Sequence, residues 1–97
     1  MVYLIALIRI KNITLMNNYK KAFLKNLHDY GGSIAFEGNR SFTLDDENQL
    51  GDFSECSWYS FPSEALARAW YESDAYENEL NDRQRAADIT LIGCIEA

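Results

Sequence analysis

The sequence predicts an α+β domain of βαββαβ order, a four-stranded antiparallel sheet with helices on one face. Three observations predict it. The chain opens on the apolar run VYLIALIRI and closes on ITLIGCI, both rich in β-branched residues. Two stretches between them place apolar residues at spacings of three and four, the period of a helix face. Gly31–Gly32 and Pro62 fall where strand-like and helical segments must change over.

Val2 to Ile10 has almost no polar residue on either face, as a strand buried on both sides requires. Val2, Leu4, Ala6, Ile8 and Ile10 share one face; Tyr3, Ile5, Leu7 and Arg9 share the other. Asn12 stands at an N-cap, and Met16, Tyr19, Phe23, Leu27 and Tyr30 follow as one helical stripe. Gly31–Gly32 stops that helix, because a glycine takes the left-handed C′ conformation. Ser33 to Gly38 is the second strand, with Ile34 and Phe36 on one face. Residues 39–53, with the acidic run Asp45-Asp46-Glu47, read as a strand end and a mobile, variable polar loop.

In the third strand, Ser54 to Phe61, the residues Cys56, Trp58 and Ser60 alternate with Ser57, Tyr59 and Phe61. Ser63 caps the next helix, whose buried face is expected to hold Leu66, Ala69 and Trp70. Asp74 with Glu77 three residues on resembles a capping box and starts a new helical segment. Its apolar stripe continues through Tyr76, Leu80 and Ala87. Asp88 to Glu96 closes the chain as the fourth strand, with Ile89, Leu91 and Ile95 on one face.

Right-handed crossovers turn this order into the ferredoxin-like arrangement. One sheet face is then left uncovered, although the first strand is apolar there as well. An uncovered apolar face marks an interface, and two such sheets packed about a two-fold axis would cover each other.

The bulk properties exclude several function classes. A chain of 97 residues is a single domain, and 47% hydrophobic content without a low-complexity run is that of a globular protein. A net charge of −6 argues against a nucleic-acid partner, which needs a basic patch. The acidic cluster Glu72, Asp74, Glu77, Glu79 and Asp82 reads as a solvated helix face, since metal ligands converge from separate segments. The first apolar run is too short to span a bilayer and lacks the features of a signal peptide, so no membrane partner and a cytoplasmic location are expected. Cys56 and Cys94 are expected to be buried reduced thiols. With His28 as the single histidine, neither a zinc site nor a histidine-built triad is expected, and no cofactor is implied.

No nucleotide-binding glycine motif and no GxSxG nucleophile elbow occurs. The candidate pocket residues are therefore aromatic and polar: Tyr3, Trp58, Ser60, Trp70, Tyr71, Tyr76 and Arg83. Trp70 at helical spacing from Leu66 reads first as a core residue, with the pocket as the alternative. Tyr71 and Tyr76 each need a partner when buried, or a pocket to face. Arg83 either neutralises the acidic helix or captures an anionic ligand at a cleft mouth.

The stretch FPS, then A-W-Y-x-S-x-x-Y, then an arginine and small residues resembles a known family. These are Phe61, Pro62, Ser63, Ala69, Trp70, Tyr71, Ser73, Tyr76 and Arg83, with Ala86 and Ala87 following. Tyr3, Asn12, Tyr19 and the Tyr30-Gly31-Gly32 turn fit the same pattern. The chain thus resembles the "domain of unknown function thirteen-thirty" proteins of the dimeric α/β-barrel superfamily, everywhere except Asn39 to Phe53. The resemblance implies a homodimer whose sheets close into a barrel with an internal cavity. It implies no single reaction, because superfamily relatives include cofactor-free monooxygenases, isomerases, haem-handling enzymes and effector-binding modules. Where family members commonly carry a glutamate before Phe-Pro-Ser and often a histidine in the first strand, this chain has Ser60 and Leu7.

Three functions are carried forward. The first is a homodimer binding a small organic molecule in an aromatic-lined cavity, without a catalytic pair. The alternatives are a cofactor-independent monooxygenase or isomerase-like enzyme on a small aromatic or lactone-like substrate, and a structural or partner-binding dimer.

Overall fold

In the computed structural model, which describes residues 1–97, the elements follow in the order β1 (Val2–Ile10), α1 (Ile13–Asp29), β2 (Ser33–Asn39), β3 (Glu55–Phe61), α2 (Glu64–Tyr71), α3 (Asp74–Ala86) and β4 (Ala87–Ile95). The strands form one antiparallel sheet ordered β2-β3-β1-β4, so the most apolar strand lies inside and β4 is an edge. This is the ferredoxin-like α+β fold. The chain is 19 Å through its thinnest axis, about one helix layer on one sheet.

Local chemistry sets the element ends. Asn12 caps α1 by accepting from the Leu15 amide at 3.0 Å. At the other end the Gly32 N–H donates to the Leu27 carbonyl and the Gly31 N–H to that of His28, a Schellman closure with Gly31 at φ 77°. Gly32 is needed for a different reason: a Cβ there would lie 2.8 Å from both Leu27 and the Phe61 ring. Ser63 caps α2 as the sequence predicts.

The cap of α3 lies one residue earlier than the Asp74–Glu77 pattern suggests. Ser73 accepts from the Tyr76 amide at 3.1 Å and donates its hydroxyl to the Trp70 carbonyl at 2.7 Å. One side chain thereby ends α2 and starts α3, and the hydroxyl wins because it can do both. At its other end α3 stops at Ala86, so Ala87, expected in the helical stripe, is extended and opens β4.

Val2, Ala6 and Ile8 of β1, with Tyr59 and Phe61 of β3, are buried beneath Met16, Tyr19, Phe23 and Leu27 of α1 and Ala67, Trp70 and Tyr76 of α2–α3. The buried face of α2 is Ala67–Trp70; Leu66 and Ala69, expected inside, are exposed. The small Ala67 lets the short helix approach the sheet, and Leu66 is turned toward Gly31 at the margin.

Two further expectations are corrected. A register shift between Ile34 and Phe36 puts Ile34 opposite Tyr59 and Phe36 opposite Trp58, on opposite faces of the sheet. Cys94 is exposed on the uncovered face of edge strand β4, and Cys56 is only half-buried. Between β2 and β3 the chain leaves regular structure after Asn39. Asp46 accepts from the Leu50 and Gly51 amides, and Arg40 lies over the Phe53 ring at 5.3 Å.

Candidate functional site

The seven candidate residues separate into two groups with the sheet between them. Tyr3 and Ser60 are directly paired across β1 and β3, and Trp58 pairs with Ile5 on the same face. This is the uncovered face, where Phe36 packs on Trp58 with ring centroids 5.5 Å apart and Ile92 is exposed. Ser60 shares a hydrogen bond of 2.8 Å with Ser33 there. Trp70, Tyr71, Tyr76 and Arg83 all lie on the other side, in the helix layer.

Trp70 is fully buried, its ring 5.4 Å from Phe23, 5.8 Å from Phe61 and 4.9 Å from Tyr76. It is the centre of the core. Tyr76 is buried beside it, and Tyr71 stacks on Tyr76 at 4.8 Å with more than half of its own surface exposed. The guanidinium of Arg83 lies over the Tyr76 ring at 5.6 Å. Three polar atoms in this cluster are buried without a hydrogen-bond partner: Trp70 Nε1, Tyr76 Oη and Arg83 Nη1.

A groove of about 510 Å³ opens beside the cluster, between α2, the α3 side chain Arg83 and the sheet. Leu4, Ala67, Leu91 and Ile95 supply its apolar walls. Tyr71 and Arg83 reach it, whereas Trp70 and Tyr76 stand one layer behind. Gly93 contributes bare backbone, which leaves the space that a side chain would fill. Glu64, Arg68 and Glu72 line the groove from α2 and its end. Arg68 is held by Glu64 at 3.0 Å. Arg83 enters none of the ion pairs of the chain.

The sequence missed the β4 side of this groove. Gly93 and Leu91 carry no chemical signal of their own, and only the pairing of β4 beside β1 brings them under α2. On the far side of the sheet, Arg9 and Lys11 hold Asp88, whose carboxyl is kept below its ordinary range by hydrogen bonds from Arg9 and then Lys11. Those charges neutralise one another. His28, near the α1 end, is exposed, and no helix is long and apolar enough to cross a membrane.

A family model described as "Domain of unknown function (DUF1330)" matches residues 1–95. The chain belongs to the DUF1330 family. No curated protein matches it. Among solved structures, the DUF1330 chain is similar to the RPA0582 protein of unknown function from Rhodopseudomonas palustris. The identity is 17%, with 96% of this chain and 79% of that one covered and a TM-score of 0.81. The structure of methylated RPA0582 gives 16% identity, coverage of 99% and 80%, and a TM-score of 0.83. HapK from Hahella chejuensis is similar over 100% of this chain and 93% of its own, with 12% identity and a TM-score of 0.64. At such identities the likeness establishes the shared fold of the DUF1330 chain.

Proposed function

We propose that the protein is a homodimer that binds a small organic molecule in the groove between the α2–α3 layer and strands β1 and β4. The observation that carries this reading is Arg83. The residue lines a groove with apolar walls, and its Nη1, packed behind that lining, is buried without a partner. Burying a charged donor unpaired is costly, and such a cost persists where a ligand can relieve it. The volume of about 510 Å³ lies within the range of small-ligand pockets. The dimer is supported by the other sheet face, where Trp58 and Phe36 are exposed beside the half-buried Tyr3, Ile5 and Leu7 and no helix covers them.

The test is native mass spectrometry of the purified protein together with a variant that fills the groove. A Cβ at Gly93 meets only the Leu4 side chain, at 3.5 Å, so the position accepts a side chain and Gly93→Val is the variant chosen to fill the groove. The expected result is a co-purified small molecule that is absent from folded Gly93→Val. A ligand retained equally by the variant places binding elsewhere and overturns this site. Turnover of small quinols or lactones that vanishes in Arg83→Gln or Tyr71→Phe would replace binding with catalysis.

A further inference from the structure

The charges around the groove also specify its ligand. We infer that the groove selects a molecule with one carboxylate on an apolar body, an inference that rests on the binding reading above and adds the chemical class.

Of the four charged side chains lining the groove, Glu64 and Arg68 satisfy each other. That leaves Arg83, with a buried donor and no carboxylate, and Glu72, which makes no ion pair. A neutral ligand leaves the Arg83 donor without a charged acceptor, and a cationic one meets the guanidinium directly. One carboxylate answers it, since the guanidinium fork matches carboxylate geometry. A second negative charge has no unpaired cation left in the lining and must lie near Glu72 and Glu64. The body of the ligand meets Leu4, Ala67, Leu91 and Ile95, and the exposed Tyr71 ring stands beside them. An apolar, flat body gains most there, because contact with these walls removes apolar surface from water on both sides.

The inference is tested on the full chain, isotope-labelled for nuclear magnetic resonance and titrated with three probes of one shape. These are naphthoate, its neutral amide naphthamide, and a naphthalene dicarboxylate. Naphthoate is expected to move the backbone amides of Tyr71, Leu91 and Ile95 and the Arg83 side-chain N–H. Its affinity should exceed that of naphthamide by about tenfold or more, the worth of a charge-assisted hydrogen bond. Arg83→Gln should remove that advantage, so that naphthoate binds no more tightly than naphthamide, while Arg83→Lys should restore part of it. If Arg83→Gln does not fold, the order of the three probes on the unaltered protein still decides. Equal affinity for naphthoate and naphthamide at these resonances overturns the carboxylate class and leaves binding standing. A dicarboxylate that binds as tightly as naphthoate overturns the restriction to one charge. Three probes that move none of these resonances overturn this inference and the binding site together.

Discussion

Trp70 and the two tyrosines near it look alike in the sequence, and their surroundings separate them. Trp70 sits among Phe23, Phe61 and Tyr76 with no surface exposed, so Trp70→Ala should destabilise the chain by about 3–5 kcal/mol in urea unfolding. Replacing the exposed Tyr71 should leave the unfolding midpoint nearly unchanged. Burial also sets the alkaline limit of the fold. It pushes the Tyr59 phenol up from 10.0 to about 12 and raises that of Tyr19 as well. A group whose pKa is raised on folding contributes stability below its unfolded value and loses it as pH rises through the folded one. Stability should therefore hold to about pH 10 and fall between there and 12, with tyrosinate absorbance rising in step with unfolding. Early ionisation of every tyrosine in a still-folded chain would contradict the burial of Tyr59. At this scale the sequence was legible for Trp70 and for Asn12 and Ser63. It misplaced Leu66 and Ala69 on the buried face, because α2 is only two turns long and its apolar residues fit more than one face.

The elements themselves were legible wherever a local rule acts within a few residues. The Gly31–Gly32 stop and the alternation of β1 and β3 are such cases. They were less legible where two local rules compete. Around residue 74 an acidic pair and a serine both offer a cap, and Ser73 prevails by bridging two helices. Ser73→Ala should accordingly cost about 1–2 kcal/mol, the loss of an N-cap and of a buried hydroxyl bond. Asp74→Ala should cost less, about 0.3–1 kcal/mol through the helix dipole alone. Urea midpoints in the reverse order would return the cap to Asp74. The irregularity in β2 had no signal in the sequence, since Ile34-Ala35-Phe36 alternates well enough for a plain strand. Its effect is to carry Phe36 across to Trp58, where it enlarges the apolar area of the uncovered face.

At the scale of the molecule, a slab 19 Å thick has a core on one side of its sheet only. In the dimer proposed above, a second copy would cover the other side with the same apolar surface. Light scattering should report twice 11.2 kDa, with roughly 1,200–2,000 Å² buried between the copies. Trp58→Asp, which places a charge in the centre of that face and outside the core, should give a folded species of 11.2 kDa. A wild-type chain that stays monomeric at high concentration would refute the sheet-to-sheet dimer. The fold was the most legible feature at this scale, because order and right-handed crossover leave few arrangements. The candidate site was legible only by residue type. Tyr3, Trp58 and Ser60 lie across the sheet from Arg83, a division set by strand pairing that reading along the chain does not supply.

The placement of the two tryptophans gives the protein a built-in optical readout. An excited indole lowers its energy by reorienting the polar groups around it, and apolar packing denies it that relaxation. Trp70, sealed among rings with Nε1 unbonded, should emit in the blue; Trp58, 43% exposed, should emit toward the red. If the proposed dimer covers Trp58, dilution should shift its component toward the red while leaving that of Trp70 in place. Denaturant should move both. Two steps in emission colour would thus separate loss of the partner from loss of the fold in one unlabelled sample.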